Sequence, residues 1–442
     1  MEDKIHCRKN ASGHDRKTET RSSKMVQNES TRQVSHVPTW SFFVIAALGL
    51  WLFTAPAAFD FHSSKLVISD MVCGALLVFL SMCCRKNPKQ LMLWLIALIG
   101  IWIQFSPLLY WAPNPGSYYI NVLIGCLVIT FSVILFPLPG ELPDAEPTVP
   151  PGWKYNPSSG PQRLPIAILV FFCWTISRYL AAYQLGYIET IWDPFFVPGT
   201  VAVIESTVSK DFFVSDAGLG ALAYTVEFFT TCQGGKARWR TAPWLVLVFG
   251  ILVVPVGLVS MTLVILQPLV VGTWCTLCLA TASCMLIAIP FAIDEVAASL
   301  QFLKLTGWKN LFRGGECPGA MVDERTPEMN HSMLEIVKAG AWGVTLPWNL
   351  VLLVVVGIFL MATPAIFHIE GLLFDTDPIL GAFTVVASVV SFSERMRKFR
   401  WAVLFFGLAV LALAWIVSQG VLVHSVIGIL MVLLCIRKGE LD

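Results

Sequence analysis

The sequence predicts an all-α integral membrane protein with about twelve transmembrane helices, and three observations carry that prediction. Of its 442 residues, 56% are hydrophobic and only 13% charged, about half the charge of an ordinary soluble domain. Twelve mostly apolar runs each approach the ~20 residues that a helix rising ~1.5 Å per residue needs to cross a bilayer. With the N-terminus inside, 27 of the 30 Lys and Arg fall on the cytoplasmic side, as the positive-inside rule requires. The 29 acidic residues nearly cancel the basic ones, and no basic stripe is interleaved with aromatics. Nucleic-acid binding is thereby excluded as the main activity.

In chain order, residues 1–38 are polar with eight Lys and Arg and no apolar run. They are expected to form a disordered cytoplasmic tail rather than a signal peptide. Runs near 40–59, 67–84, 91–108 and 118–138 make a first block, 39–138, followed by a Pro- and Gly-rich linker, 139–163. Runs near 164–185, 214–233, 243–267 and 271–292 make a middle domain, 164–305. A cytoplasmic loop, 306–343, leads to runs near 344–366, 377–394, 401–418 and 421–436 in a last block, 344–442. The alternation puts both termini in the cytoplasm.

The outer blocks are repetitive. Gly49-x-Trp51-x4-Pro56-x13-Asp70-x3-Gly74 recurs as Gly100-x-Trp102-x4-Pro107-x13-Asn121-x3-Gly125, every position offset by 51. The last block repeats it as Gly357-x-Phe359-x4-Pro364-x12-Asp377-x3-Gly381, with a fainter His424-x3-Gly428. Each unit reads as a two-helix hairpin with Pro at the outer end of its first helix. Asp70, Asn121 and Asp377 are expected to cap the returning helices, where the dipole favours them. Together with Ser106-Pro107-Leu108-Leu109-Tyr110-Trp111, the pair of units resembles the SPW repeat family of bacterial membrane hairpins, with a degenerate copy in the last block. That resemblance implies architecture and almost nothing about chemistry.

The middle domain carries a chemical signal. Cys275 and Cys278, in Trp274-Cys275-Thr276-Leu277-Cys278, open a helix that the topology starts at the outer face. A helix N-terminus lowers a thiol pKa, and two thiols one turn apart can cycle between dithiol and disulfide. Spacing alone also fits two packing cysteines in a Cys-rich chain. No metal site is expected, because the seven His show no zinc-like spacing with each other or with Cys.

With Trp274, Cys275, Cys278 and Leu279 as its motif, the stretch 164–305 resembles the four-helix core of the vitamin K epoxide reductase family. Trp192-Asp193-Pro194-Phe195, Ser206 and Ser209 in the outer loop after the first core helix fit the same pattern, as does the helix entry at Ser215–Tyr224. The resemblance implies a Cys-x-x-Cys pair beside a quinone pocket, with Ser209 assisting at that pocket. The quinone, a ubiquinone, menaquinone or similar molecule, would be the substrate. In the family a second Cys pair in the outer loop re-reduces the first, but 186–213 contains no Cys. An extracytoplasmic thiol protein would therefore have to exchange directly, with Cys275 the more accessible sulfur and Cys278, one turn deeper, facing the quinone.

Trp274, Phe195, Phe196, Phe212 and Phe213 would clamp the quinone ring, the alternative being an interfacial aromatic belt. Arg178 and Asp216, both near the outer face, could pair or Arg178 could snorkel, and Glu227 is expected to be solvated near the inner end. The function expected is a membrane thiol/quinone oxidoreductase in a bacterial plasma membrane. The competing class is a non-enzymatic scaffold or transporter that keeps the fold without the relay.

Overall fold

The structure, a computed structural model, describes residues 40–59, 63–86, 89–134, 146–369, 371–417 and 420–437. The expected tail 1–38 and the first part of the linker lie outside them. Twelve long helices, numbered α1 to α12 in chain order, dominate the fold. They are α1 Trp40–Phe59, α2 Ser64–Lys86, α3 Gln90–Leu109, α4 Pro115–Ile129, α5 Gly160–Gln184 and α6 Asp216–Cys232. The rest are α7 Pro243–Leu266, α8 Thr276–Thr306, α9 Trp348–Phe367, α10 Leu372–Val390, α11 Trp401–Val417 and α12 Val421–Ile436. Among the described residues ten spans are long and apolar enough to cross a membrane; α6, at 17 residues, and α12, at 16, fall short of that length. Only two isolated β-bridges occur among the described residues. The molecule is an all-α, multi-pass membrane protein.

The repeat has a geometric meaning that composition does not reveal. In each hairpin the two helices cross at a pair of glycines: Gly49 on Gly74, Gly100 on Gly125, Gly357 on Gly381 and Gly407 on Gly428. A Cβ on Gly74, Gly125 or Gly381 would sit 2.5, 2.5 or 2.6 Å from the facing carbonyl oxygen, so only glycine permits the approach. Small residues at crossings are how helices associate in lipid, where water supplies no hydrophobic drive between them.

The residues expected to be caps are not caps. Asp70, Asn121 and Asp377 lie well inside α2, α4 and α10 and are fully buried; the cap of α4 is Asn114, whose side chain accepts from the Ser117 N–H. Asn121 instead donates through Nδ2 to both carboxylate oxygens of Asp70, at 2.9 and 3.1 Å. In the last block Oδ2 of Asp377 accepts the Thr363 hydroxyl and faces His424 Nε2, each at 2.7 Å. The position in one unit thus pairs with the same position in the next. A buried carboxylate in hydrocarbon requires such a partner, and the repeat supplies it twice.

In the middle domain α5 packs closely on α6 and α8, and α7 on α8, while α6 and α7 touch little. At the end remote from Cys275 the loops interlock. Arg238 pairs with Glu295 at 2.6 Å, both buried, and Ser158 donates to the same carboxylate. Tyr155 donates to Asp294, and the Arg395 guanidinium lies 3.3 Å from the Trp153 ring centre. This end joins segments from the linker, the middle domain and the last block.

Candidate functional site

The Cys-x-x-Cys turn is set by its neighbours. Cys275 is the N-cap residue of α8, in extended conformation, and its Sγ accepts the Cys278 N–H at 3.1 Å. Its own N–H donates to Oε1 of the buried Gln267 at 2.9 Å, the side chain that begins the π-helical turn Gln267–Val271 closing α7. Cys275 and Cys278 form a disulfide, with Cα atoms 5.3 Å apart.

The two sulfurs sit in different surroundings. Cys275 is fully buried, packed among Ile176, Leu180, Ile204 and Leu277, which corrects the expectation that it is the accessible one. The reason is the loop after α5: its short helix Gly199–Ile204 lies directly over the turn, and Gly199 meets the Trp274 carbonyl so closely that no Cβ fits. Cys278, one turn on, borders a cavity of about 370 Å³.

That loop is held by one carboxylate. Asp193 accepts the Thr276 hydroxyl, the Thr200 N–H at 2.9 Å and the Phe196 N–H at 3.1 Å. Burial pushes this carboxyl up, but the hydrogen bonds from Thr276, Thr200 and Phe196 outweigh it and hold the group well below the ordinary carboxylate range. The clasp joins the loop to the residue between the two cysteines.

The cavity lies in the gap between α6 and α7, walled by Leu219, Ala223 and Tyr224 on one side and Pro255, Val259 and Leu263 on the other. Cys278 and Thr281 form its α8 wall, and Ser206, Ser209 and Phe212 roof it. A second cavity of about 600 Å³ on the other side of the loop shares Ile204, Ser209 and Phe212. These three side chains are therefore the partition between the two spaces.

Of the other residues singled out in the sequence, Trp274, Phe195, Phe196 and Phe213 do not line the 370 Å³ cavity. Phe195 and Phe213 are 79% and 71% exposed, so the five-ring clamp reduces to Phe212. Arg178 and Asp216 do not pair. The Arg178 guanidinium lies over Trp174 at 4.6 Å and Tyr119 at 4.8 Å, joining the middle domain to the first block. Gln184 takes Asp216 instead: its amide donates to Asp216 and, at 2.8 Å, to Ser209, while its carbonyl accepts from Ser215. Gln184 thus fixes the serine of the partition, a role whose only trace in the sequence is a polar residue ending an apolar run. Glu227 is fully buried, not solvated, on a helix that α5 packs closely against. No group of side chains suited to a metal occurs among the described residues.

A helical membrane protein with a disulfide at a helix start, bordering an apolar cavity, is the class that fold and site define. Within that class, residues 164–293 match the model of the vitamin K epoxide reductase family. Residues 39–135 match that of the SPW repeat domain. No curated protein and no solved structure matches the chain.

Proposed function

We propose that this chain is a membrane thiol/quinone oxidoreductase in which the Cys275–Cys278 pair passes two electrons to a quinone held in the 370 Å³ cavity. The observation that carries the reading is that Cys278 and Ser209 border one apolar cavity of ligand size. In the reaction the two thiols lose two electrons and two protons as the S–S bond forms, and the two quinone carbonyl oxygens gain them as the quinol. Cys278 is the sulfur facing the ring, and Ser209, oriented by Gln184, donates to a ring oxygen. The cofactor question reduces to the substrate, a prenylated benzo- or naphthoquinone.

Electrons reach the pair from a thiol protein on the Cys275 side, which faces out of a bacterial plasma membrane with both termini in the cytoplasm. The asymmetry of basic residues supports that orientation. Because Cys275 is buried, the loop has to lift for the partner thiol to attack. Purified protein reduced at both cysteines should form the Cys275–Cys278 disulfide when a short-tailed ubiquinone is added, with one quinol per disulfide. Quinone reduction that persists in Cys278→Ser, or no quinone-dependent oxidation at all, would return the chain to the scaffold class.

A further inference from the structure

Glu227 has no role in the fold described so far. It is 0% exposed in the C-terminal half of α6, and neither carboxylate oxygen has a hydrogen-bond partner. The guanidinium groups toward the end of α6 are engaged elsewhere: Arg238 with Glu295 and the Thr230 carbonyl, Arg163 with the Thr231 and Gln233 carbonyls. A bare carboxylate in such surroundings costs several kcal/mol or more, whereas the neutral acid costs far less. Ionisable groups are kept inside membranes chiefly where they work.

Its position suggests the work. Tyr224, one turn earlier on the same face of α6, lines the cavity that Cys278 borders. Other side chains with exchangeable protons lie close by: Cys173 of α5 and Cys284 of α8 pack in the same cluster as Tyr224, and Ser260 of α7 lines the same cavity. Residues three apart on a helix are neighbours on its surface, so the two side chains adjoin.

We propose that Glu227 is a membrane-embedded carboxylic acid that relays a proton through Tyr224 to the deep end of the cavity. The inference rests on the quinone reading. As the quinone takes two electrons from the dithiol, the oxygen at the deep end takes the Tyr224 proton, Tyr224 takes the proton of Glu227, and Glu227 is reprotonated from the C-terminal end of α6. The other ring oxygen takes one thiol proton by way of Ser209, and the second thiol proton is released on the Cys275 side. The sum stays dithiol plus quinone to disulfide plus quinol, with one proton moved across the membrane per turnover.

Infrared spectra of the purified full-length protein at neutral pH test this. A protonated carboxyl stretch should be present, disappear in Glu227→Gln, and shift when a short-tailed ubiquinone is added. Quinone reduction should fall about a hundredfold in Glu227→Gln and recover in part in Glu227→Asp. Disulfide formation by a chemical oxidant should be the same in all three, which a merely structural role would not leave intact. A band that is missing at neutral pH, or that ignores bound quinone, overturns the relay while leaving quinone reduction by the dithiol standing. Failure of the wild type to bind or reduce quinone removes both.

Discussion

Replacing Asp193 by Asn should unlatch the loop that covers Cys275. The carboxylate accepts from the Thr276 hydroxyl and from the N–H groups of Thr200 and Phe196, so every neighbour is a donor. An amide keeps one acceptor oxygen and turns two N–H bonds toward those donors. Hydrogen bonds to a charged group contribute about 1.5–3 kcal/mol each; allowing for partial exposure, loss of one costs about 1.4 kcal/mol, a factor of about ten in the opening equilibrium. In a Cys278→Ser background Cys275 is a free, buried thiol, and its alkylation by a maleimide reports opening. The rate should rise about tenfold in Asp193→Asn. It should stay within twofold in Asp211→Asn, an exposed residue of the same loop. Because the folded carboxyl is held below its unfolded value, its contribution is complete above about pH 4 and lost as pH falls through the folded value. The ratio of mutant to wild-type rates should therefore be flat from neutral pH to about pH 4 and approach one in stronger acid. Equal rates in Asp193→Asn and wild type at neutral pH would refute the clasp.

Phe212→Ala should weaken retention of a short-tailed ubiquinone about tenfold, the loss of one aromatic contact with its buried area, while Phe195→Ala, outside the cavity, should not; equal effects in equilibrium binding would dissolve the distinction. His424→Ala should destabilise the last block by about 3–5 kcal/mol because Asp377 loses its buried partner. His424→Asn, which rebuilds the Asp–Asn pair of the first block, should keep most of that stability in thermal unfolding of the solubilised protein. Gly125→Ala should cost about 1–3 kcal/mol by overpacking against the Gly100 carbonyl, 2.5 Å from the new Cβ. Gly116→Ala, with its nearest atom 3.5 Å away, is the control.

What sequence reasoning reaches here divides by range. Apolar runs depend on the bilayer alone, so the long helices are legible one at a time, and the Trp-Cys-x-x-Cys motif marks the start of α8 because the motif is local. The offset of 51 between Asp70 and Asn121 is visible, but its cause is not: a polar residue near a helix start suits both a cap and a buried pair, and only the packing of one hairpin on the next decides. Arg178 and Asp216 share a face and carry opposite charges, yet Gln184 reaches Asp216 and the rings of Trp174 and Tyr119 take the guanidinium. The burial of Cys275 and of Glu227 depends on what covers them, a loop in one case and a neighbouring helix in the other. Neither cover leaves a trace beside the residue it hides.

The pairing of Asp70 with Asn121 also bears on how the protein is made. The two residues belong to successive hairpins, so the first hairpin enters the bilayer before its partner has been synthesised. An unpaired Asp costs about 2.5–3.5 kcal/mol to insert at a helix centre, and Asp70, in the first third of α2, bears up to that cost until α4 arrives. In the last block Asp377 already has Thr363 from its own hairpin, and His424 arrives afterwards. A nascent chain arrested after α2 should stay in the insertion machinery, and one arrested after α10 should leave it. Two hairpins, not one, are the smallest piece of the first block that can be released into lipid with its carboxylate satisfied.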